Sequence, residues 1–459
     1  MKTLIAEISS SSFKFLLSDD ESGRNDIKNI PFEKDLLSAV QDPKRLFEGL
    51  VKHLKKIFDT FKADTLGIVT TWHGMLYSYD DFNTVSPLYL WSDTGAAASV
   101  NKFASFKNFK EDFFRRTGCH TNPCYPFYKI ESYIKDINDD LLIGDLGSYI
   151  NYAFTGSFIT GVSMASGTGL FNIDDLQYDG YLLDLLGIDQ TNLPKILSEK
   201  ELYPVCEAMK SELGAGPGLR YQVAIPDGAS NQIGALPGPK DMTLSVGTSS
   251  AMRMNVGEDF MTGSSAGLFL YRTPYSRLLG AATNSGTNLI EWYRDTYDLS
   301  SMDYSLLESE EKTDLVFLPF IFGERSPSWK GIRKSGFNRE PLTVKEGYRA
   351  VQEGILYNLK QCYDSISKDL DIDNILLSGG ITSSDHFMQM CSDILGRELK
   401  VYEYKDSSLF GALYLLYGTT RHEIDGKANK LVKTVSPRSV TSDYYKRKYD
   451  LYLREYRSE

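Results

Sequence analysis

The sequence has few cysteines, and none of them forms a CxxC pair. Its 459 residues include five, at Cys119, Cys124, Cys206, Cys362 and Cys391. An odd number without close spacing argues against a disulfide framework and against a cysteine-based zinc site. We therefore expect reduced thiols and a cytoplasmic protein.

A long apolar run is also missing. The chain begins MKTLIAEISSSSFKFLL, in which Glu7 and the serine run interrupt what would have to be the apolar core of a signal peptide. No later run is long enough to cross a bilayer. We expect neither export nor a membrane partner.

Positive charge is in deficit. The chain carries 50 Lys and Arg residues against 61 Asp and Glu residues, which gives a formal net charge of -11. Nucleic-acid affinity depends on clustered Lys and Arg that neutralise phosphates, so we expect no nucleic-acid partner. A small anionic substrate needs only local donors and stays open.

Several nucleotide and metal motifs are absent as well. The sequence has no GxxxxGK[ST] loop, no GxGxxG after a strand and no HExxH. P-loop NTPase, Rossmann dehydrogenase and zincin functions therefore lack their signatures. What the chain does contain are turns rich in glycine and hydroxyl residues that follow predicted strands. Their backbone N–H groups can converge on a phosphate, although each turn alone is more simply a tight turn.

The length and the order of elements indicate a duplicated α/β protein. A chain of this size predicts about two or three domains. A strand over residues 3–8 enters the serine turn 9–12, and a strand over 242–246 enters the turn 247–250. This recurrence predicts one such strand and turn in each half. The segment LPGPK at 236–240 is the best linker, so we place the boundary between domains 1–239 and 240–459.

Other segments show the alternation of helices and strands that is typical of α/β folds. We predict helices over 43–61, over 344–366 and from Thr441 onward, and strands over 66–70, 316–320 and 374–377.

Three polar segments are candidates for chemistry. Pro226, Asp227 and Gly228 are typical of a turn, and spacing alone favours that interpretation, although the carboxylate could equally be a general base. His73 in TWHG follows a predicted strand, but a lone histidine is more often structural. The clusters WSD (91–93) and GERSP (323–327) also follow apolar strands, where α/β proteins bind ligands, although Glu324 beside its neighbouring arginine could be only a local ion pair.

Taken in order, these segments resemble the FGGY carbohydrate kinases, and within them the gluconokinases. The similarity runs through AEISSSSFK (6–14), TWHG, WSD, SMASGTGLFNI (163–173), DGASNQIG (227–234), SVGTSSAMR (245–253), GAATNSGTNLIEW (280–292), LPFIFGERSPSW (318–329) and the SGG at 378–380. It implies two duplicated actin-like ATPase domains of the ribonuclease H-like α/β class around a central cleft. The first domain would carry the sugar site and first phosphate loop, and the second would bind the nucleotide. ATP with Mg²⁺ and a small sugar or sugar acid would be the ligands, and a homodimer stays open.

The resemblance also implies roles for individual residues. Asp227 would be the catalytic base, and Glu7 and Asp227 would hold the metal. The residues implied to bind the sugar are His73, Gly74, Trp91, Asp93 and Asp227. Those implied to bind ATP are Ser10, Ser11, Lys14, Gly247, Thr248, Gly286, Gly379, Gly380 and Ser383.

The sequence departs from the family pattern at two places. Glu7 replaces Asp, and Ser9 and Ser10 replace Gly and Thr in the first loop, whereas Gly95 stands in a segment where many relatives have Arg. Three hypotheses follow: a kinase that converts D-gluconate to 6-phosphogluconate, a kinase for another polyol or pentulose such as xylulose, and a catalytically weakened nucleotide-binding regulator.

Overall fold

The computed structural model describes residues 1–33, 37–299, 301–403, 406–418 and 430–458. The strands of the first half are β1 (Lys2–Ile8), β2 (Ser12–Asp19), β3 (Arg24–Pro31), β4 (Val40–Gln41), β5 (Thr65–Thr70), β6 (Leu76–Ser78), β7 (Leu88–Tyr89), β8 (Leu142–Gly144), β9 (Ile159–Gly161), β10 (Phe171–Asn172), β11 (Gln177–Tyr178), β12 (Lys195–Leu197), β13 (Leu202–Pro204) and β14 (Arg220–Pro226). Those of the second half are β15 (Asp241–Val246), β16 (Ser250–Val256), β17 (Phe269–Arg272), β18 (Arg277–Thr283), β19 (Phe317–Leu318), β20 (Gly336–Phe337), β21 (Asn374–Ser378), β22 (Leu399–Tyr402) and β23 (Leu431–Val435).

The α-helices alternate with these strands in both halves. The first half contains α1 (Pro43–Thr60), α2 (Ala97–Ala104), α3 (Phe109–Thr117), α4 (Pro126–Tyr133), α5 (Leu146–Thr155), α6 (Val162–Ser166), α7 (Gly180–Leu186), α8 (Glu207–Leu213) and α9 (Asp227–Gly234). The second contains α10 (Thr287–Thr296), α11 (Val344–Ser367), α12 (Asp385–Leu395), α13 (Ser407–Tyr417) and α14 (Ser442–Arg457). Among the described residues, no helix is long and apolar enough to cross a membrane.

Two mixed sheets confirm the predicted α/β class and its duplication. The first sheet has the order β13-β14-β5-β1-β2-β3, and the second has the order β17-β18-β16-β15-β21-β22-β23. In each, an antiparallel meander (β1-β2-β3, β15-β16-β18) joins two strands parallel to its first member (β5 and β14, β21 and β22). The phosphate loops predicted from sequence are therefore equivalent hairpin turns, β1-β2 and β15-β16.

Most of the predicted elements are confirmed, with two corrections. The predicted strand at 316–320 is reduced to the pair Phe317–Leu318 of β19. The turn favoured at 226–228 is wrong: Pro226 is the N-cap of α9, and Asp227 is its first residue. Both proline and an acidic side chain suit a helix N-terminus, where φ is preset and the backbone N–H groups attract negative charge.

Helices α9 and α13 join the two halves by backbone contact. A Cβ added to Gly234 would lie 1.8 Å from the carbonyl oxygen of Ser407, and a Cβ added to Gly411 would lie 1.8 Å from that of Ser230. The Ser230 hydroxyl also donates to the Ser408 carbonyl at 2.5 Å. Only glycine permits this approach. The crossing fixes α9, and with it Asp227, against the second half.

Candidate active site

A cavity of about 170 Å³ lies where the two halves meet. Five of the residues predicted for the site line it: Ser10, His73, Trp91, Asp227 and Thr248. They come from the β1-β2 turn, the segments after β5 and β7, the start of α9 and the β15-β16 turn. The structure thus brings both hairpin turns and the aspartate into one cleft.

Asp227 stands at the N-terminus of α9, partly exposed to this cavity. Its Oδ1 accepts a hydrogen bond from the backbone N–H of Gly228 at 2.7 Å. Burial raises the pKa of Asp227, and the nearby Arg253 guanidinium opposes that rise. A carboxylate with a raised pKa is a stronger base than one in water, which suits proton removal from a hydroxyl.

The first hairpin turn is closed by a serine side chain instead of by glycine. The Ser9 hydroxyl accepts from the backbone N–H groups of Ser11 at 3.2 Å and Ser12 at 3.0 Å. The Ser9 N–H in turn donates to the Ser12 carbonyl at 3.0 Å. The turn therefore keeps a tight shape although Ser9 replaces the family's glycine, and it leaves Ser10 and Ser11 exposed at its tip.

Glu7 and Lys14 face each other across β1 and β2 just below this turn. The Lys14 ammonium lies 3.9 Å from Glu7 Oε2 and 2.9 Å from Asp406 Oδ1, and the Ser408 hydroxyl donates to Glu7 Oε2 at 2.8 Å. Burial raises the pKa of Glu7, and Lys14 counteracts it. Burial lowers the pKa of Lys14, but the two carboxylates outweigh it and the net shift is upward. Lys14 is therefore charged and held by both acids.

Three glycine-containing segments meet at the second hairpin turn. The Gly247 carbonyl accepts from the Thr287 N–H at 2.7 Å, and a Cβ on Gly286 would lie 2.3 Å from that carbonyl oxygen. Gly379 has φ +91°, and a Cβ there would lie 2.5 Å from the carbonyl oxygen of Val246. Such contacts require glycine, so the β15-β16 turn, the start of α10 and the turn after β21 form one backbone-lined surface.

The remaining residues predicted to bind the nucleotide lie on the same surface. Thr248 accepts a hydrogen bond from the Asn288 N–H at 3.4 Å through its carbonyl. A Cβ on Gly380 would lie 3.1 Å from Thr287 Cγ2, and Ser383 is exposed at the end of the 3-10 turn that begins at Gly380. Converging amides of this kind suit phosphate oxygens.

His73 is a neutral imidazole. Its Nδ1 lies 2.7 Å from the Gly167 carbonyl oxygen, and burial lowers its pKa to about 3. Nδ1 therefore donates, and Nε2 is left as an acceptor for a ligand hydroxyl. Its backbone has φ 65°, an unusual conformation for a non-glycine residue that often marks a functional site. The neighbouring Gly74 is buried, and a Cβ there would lie 3.3 Å from Leu88.

The segment 163–173 supports His73 from behind. A Cβ on Gly167 would lie 2.2 Å from Trp72 Nε1 and 2.9 Å from His73 Nδ1, so only glycine fits there. Trp72 Nε1 donates to the Ser163 carbonyl at 3.0 Å, and the Trp72 and His73 rings stack with centroids 5.5 Å apart. This contact explains why a glycine stands in the SMASG motif.

Trp91 and Asp93 have different surroundings. Trp91 lies under the Arg325 guanidinium, whose carbon is 4.8 Å from the ring centroid. Asp93 is not among the residues that line the cavity, and its Oδ2 accepts from the Tyr133 hydroxyl at 2.7 Å. A Cβ on Gly95 would lie 1.9 Å from that hydroxyl oxygen. Tyr133 thus occupies the space beside Gly95 and holds the Asp93 carboxylate.

Two arginines that sequence reasoning did not assign to the site also line the cavity. Arg253 extends from β16, and its Nη2 would lie 3.3 Å from a Cβ on Gly228. Arg325 donates through Nη2 to the Thr283 carbonyl at 3.1 Å. Both stand in motifs that carry the family resemblance, SVGTSSAMR and GERSP, so the signal was present. The motifs do not show, however, that the two arginines lie together beside Asp227.

Five of the other lining residues that were missed are aromatic or bear a thiol, and they come from several segments. They are Trp72, Cys124, Phe269, Tyr271 and Trp329. Trp329 has φ 56°, and its Nε1 donates to the Gly267 carbonyl at 2.9 Å. The local ion pair suggested within GERSP does not form. Glu324 pairs instead with Arg333, with 3.3 Å between Oε2 and Nη1.

The residues present fit a magnesium ion bound with a nucleotide. Within the described ranges, no group of three or more His, Cys, Asp or Glu side chains could hold a metal ion. Glu7 and Asp227 are close enough that the charge of Asp227 adds to the rise in the pKa of Glu7, which is due mainly to burial. Mg²⁺ is commonly held by one or two carboxylates together with substrate phosphates, and this pair supplies that number.

Comparison with known proteins agrees with this arrangement. Residues 14–238 match the N-terminal domain of the FGGY family of carbohydrate kinases, and residues 242–417 match its C-terminal domain. A gluconokinase of Bacillus subtilis (strain 168) is 25% identical over 420 residues, which cover 84% of this chain and 81% of the relative.

Solved structures share the fold. The crystal structure of gluconate kinase from Lactobacillus acidophilus superposes with a TM-score of 0.88 at 22% identity, covering 99% of this chain and 98% of that one. A ligand-bound xylulose kinase from the same organism gives 0.88 at 23% identity, covering 99% and 97%. The predicted actin-like ATPase fold is thereby confirmed. The chain therefore belongs to the FGGY family of carbohydrate kinases, which phosphorylate a carbohydrate with ATP.

Proposed function

We propose that this kinase phosphorylates the terminal hydroxyl of a sugar acid, with D-gluconate as the substrate and 6-phosphogluconate as the product. The observation that carries the proposal is the charge of the cavity: Arg253 and Arg325 line it with Asp227 as the one acidic side chain among its lining residues. Asp227 balances the charge of one guanidinium, and the carboxylate of an anionic sugar would balance the charge of the other. A planar guanidinium also pairs with a carboxylate through two parallel hydrogen bonds. The match to a gluconokinase over most of the chain supports the same substrate.

In this proposal Asp227 is the general base. Its carboxylate accepts the proton of the sugar hydroxyl while that hydroxyl attacks the γ-phosphoryl group. The helix start fixes the carboxylate, since its Oδ1 is held by the Gly228 N–H. His73 Nε2 accepts a hydrogen bond from a sugar hydroxyl, and the Trp91 ring packs against the substrate beside Arg325. Gly74 and Asp93, from the same two segments, complete the proposed set of sugar-binding residues.

The nucleotide binds to the surface formed by the two hairpin turns. Ser10 and Ser11 on one side, and the amides near Gly247 and Thr248 on the other, donate to the phosphates. The approach of Gly286, Gly379 and Gly380 keeps this surface free of side chains, and Ser383 borders it. Lys14, charged and held between Glu7 and Asp406, adds a positive charge below the first turn.

Glu7 and Asp227 would hold the Mg²⁺ that accompanies ATP. The ion would supply neutralisation of the charge that develops on the transferred phosphoryl group. We also propose that the domain boundary lies near residue 240 and that the reaction takes place in the cytoplasm. The homodimer stays a prediction.

A pentulose kinase is the second candidate. The likeness to a xylulose kinase is as close as that to a gluconate kinase, with a TM-score of 0.88 for each. Asp227 serves both reactions equally, so only the pocket charge and the gluconokinase-like segments favour the acid. The third hypothesis, a catalytically weakened regulator, rests on the altered sequence of the first turn. The hydrogen bonds that the Ser9 hydroxyl accepts keep this turn tight, which weighs against that hypothesis.

The test is an ADP-coupled assay with Mg-ATP against D-gluconate, xylulose, ribulose, glycerol and fuculose, with the product identified by mass spectrometry. Turnover of gluconate with the highest kcat/KM supports the proposal. Preference for a pentulose refutes the substrate, and ATP binding without turnover of any sugar favours the regulator.

A pair of variants tests the role of the pocket charge. Arg325→Gln removes a charged hydrogen-bond donor worth about 1.5–3 kcal/mol, so kcat/KM for gluconate should fall about 10- to 150-fold. Arg325→Lys keeps the charge without the planar fork and should lose less. Equal losses in both variants would contradict a carboxylate at this position.

A further inference from the structure

The C-terminal helix reaches the loop that carries Arg325. This helix, α14, spans Ser442–Arg457, whereas the match to the family's C-terminal domain ends at residue 417. Near its end, the Tyr456 hydroxyl donates to Glu324 Oε1 at 2.6 Å. Glu324 directly precedes Arg325 in the chain. A segment outside the matched domain thus holds a residue adjacent to the sugar pocket.

Glu324 is the centre of a buried polar cluster. Only 1% of its surface is exposed, and its Oε2 accepts from the Ser328 hydroxyl and, at 3.3 Å, from Arg333 Nη1. Arg333 also donates to the Tyr456 carbonyl, and its guanidinium carbon lies 3.6 Å from the centroid of the Tyr456 ring. Tyr456 therefore contacts both members of the ion pair, one through its hydroxyl and the other through its ring and carbonyl.

The same cluster closes the loop that enters the cavity. The Glu324 N–H donates to the Gly331 carbonyl at 2.6 Å, and the Gly331 N–H donates back at 3.1 Å. Between these residues stand Arg325 and Trp329, both of which line the cavity. Because the base of the loop is fixed at Glu324, we expect a shift of that residue to move the two side chains that line the cavity.

We propose that Tyr456 is a positioning residue for carbohydrate binding, which acts through Glu324 on the loop that presents Arg325 and Trp329. The inference rests on the proposed role of Arg325 in sugar binding. It assigns to the C-terminal helix a function in sugar affinity that the matched family domains do not include.

The experiment compares Tyr456→Phe with Tyr452→Phe. Tyr452 is on the same helix, is fully buried, and donates its hydroxyl to Gln361 Oε1 at 3.0 Å instead of to the loop. Each variant loses one hydroxyl, so a general effect on the helix would appear in both. KM and kcat are measured for the carbohydrate that the unmodified enzyme phosphorylates fastest, and KM is also measured for ATP.

Tyr456→Phe should raise the KM for the carbohydrate about tenfold, the effect of one hydrogen bond to a charged group. The kcat and the KM for ATP should stay within about twofold, and Tyr452→Phe should change none of the three. A carbohydrate KM within twofold of the unmodified enzyme, or an equal rise in both variants, overturns the proposal.

Hydrogen–deuterium exchange of residues 324–333 separates this proposal from the proposed function. Exchange in the loop should be faster in Tyr456→Phe alone, with no ligand added. If no sugar acid is turned over but this difference is found, the substrate assignment fails and the positioning role stands. Equal exchange in the two variants overturns the positioning role, whatever the substrate is.

Discussion

Gly286 is the position where one added methyl group tests the nucleotide surface most directly. It precedes α10 and has φ -171°, an extended conformation that alanine can also adopt. A Cβ there would nevertheless lie 2.3 Å from the Gly247 carbonyl oxygen, 2.8 Å from that of Thr248 and 3.0 Å from the Ser249 carbonyl carbon. All three atoms are backbone, so no side chain can rotate away.

The size of the effect follows from the required movement. Ordinary van der Waals contact begins at 3.4 Å. In Gly286→Ala, the Gly247 carbonyl oxygen in the β15-β16 turn must therefore move about 1.1 Å away from the new Cβ. That retreat also stretches the 2.7 Å hydrogen bond from Thr287 to Gly247. A misplacement of about 1 Å near the reacting groups can lower a rate about 100-fold, and overpacking costs about 1–3 kcal/mol of stability.

We expect Gly286→Ala to lower kcat/KM for ATP about 100-fold and to leave carbohydrate affinity, measured by calorimetry without nucleotide, unchanged. The matched control is Gly257→Ala, where an added Cβ meets no atom within 4 Å. If Gly286→Ala shows the ATP kinetics of this control, the β15-β16 turn is not the phosphate-binding surface.

Other parts of the fold give two further predictions. Gly411→Ala should destabilise the protein by several kcal/mol in urea denaturation, because its Cβ would lie 1.8 Å from the Ser230 carbonyl oxygen, whereas Gly216→Ala meets nothing within 4 Å and should be near neutral. Lys129 is fully buried, donates to the His73 carbonyl at 3.0 Å, and has a pKa lowered to about 8 by burial, so the folded protein releases this proton before the unfolded chain does. Its contribution to stability should therefore rise by up to about 3 kcal/mol between pH 8 and 10.5. Lys129→Met should remove that rise, and identical pH profiles for the two proteins would contradict the buried ammonium.

Much of the fold was predictable because its signals are local. The strands entering the two hairpin turns and the long helix α11 follow from short apolar runs and helical periodicity. The start of α9 could not be predicted in this way, since Pro, Asp and Gly suit a turn as well as a helix N-terminus. Gly234 at the end of α9 packs against Ser407 in α13. These residues are far apart in the sequence, so no local pattern predicts this contact.

The site residues were predicted from motifs. The residues that this approach missed enter the site through contacts between segments that are distant in sequence. Arg253 and Arg325 come from different segments, so neither motif alone predicts that both guanidinium groups lower the pKa of Asp227. Asp93 is a second example: WSD predicts a sugar ligand there, and the hydrogen bond that its Oδ2 accepts from Tyr133 of α4 is not part of that motif. Pairings between distant segments are the part that sequence patterns leave undetermined.

The measurement that tests the account most directly is the rate of ADP formation by Asp227→Asn beside the unmodified enzyme, at saturating Mg-ATP and D-gluconate. Asparagine keeps the size of the side chain and cannot accept the hydroxyl proton. We predict turnover of gluconate by the unmodified enzyme and a loss of about 100- to 10,000-fold in the variant. A variant that keeps most of its gluconate turnover would contradict the assignment of Asp227 as the base.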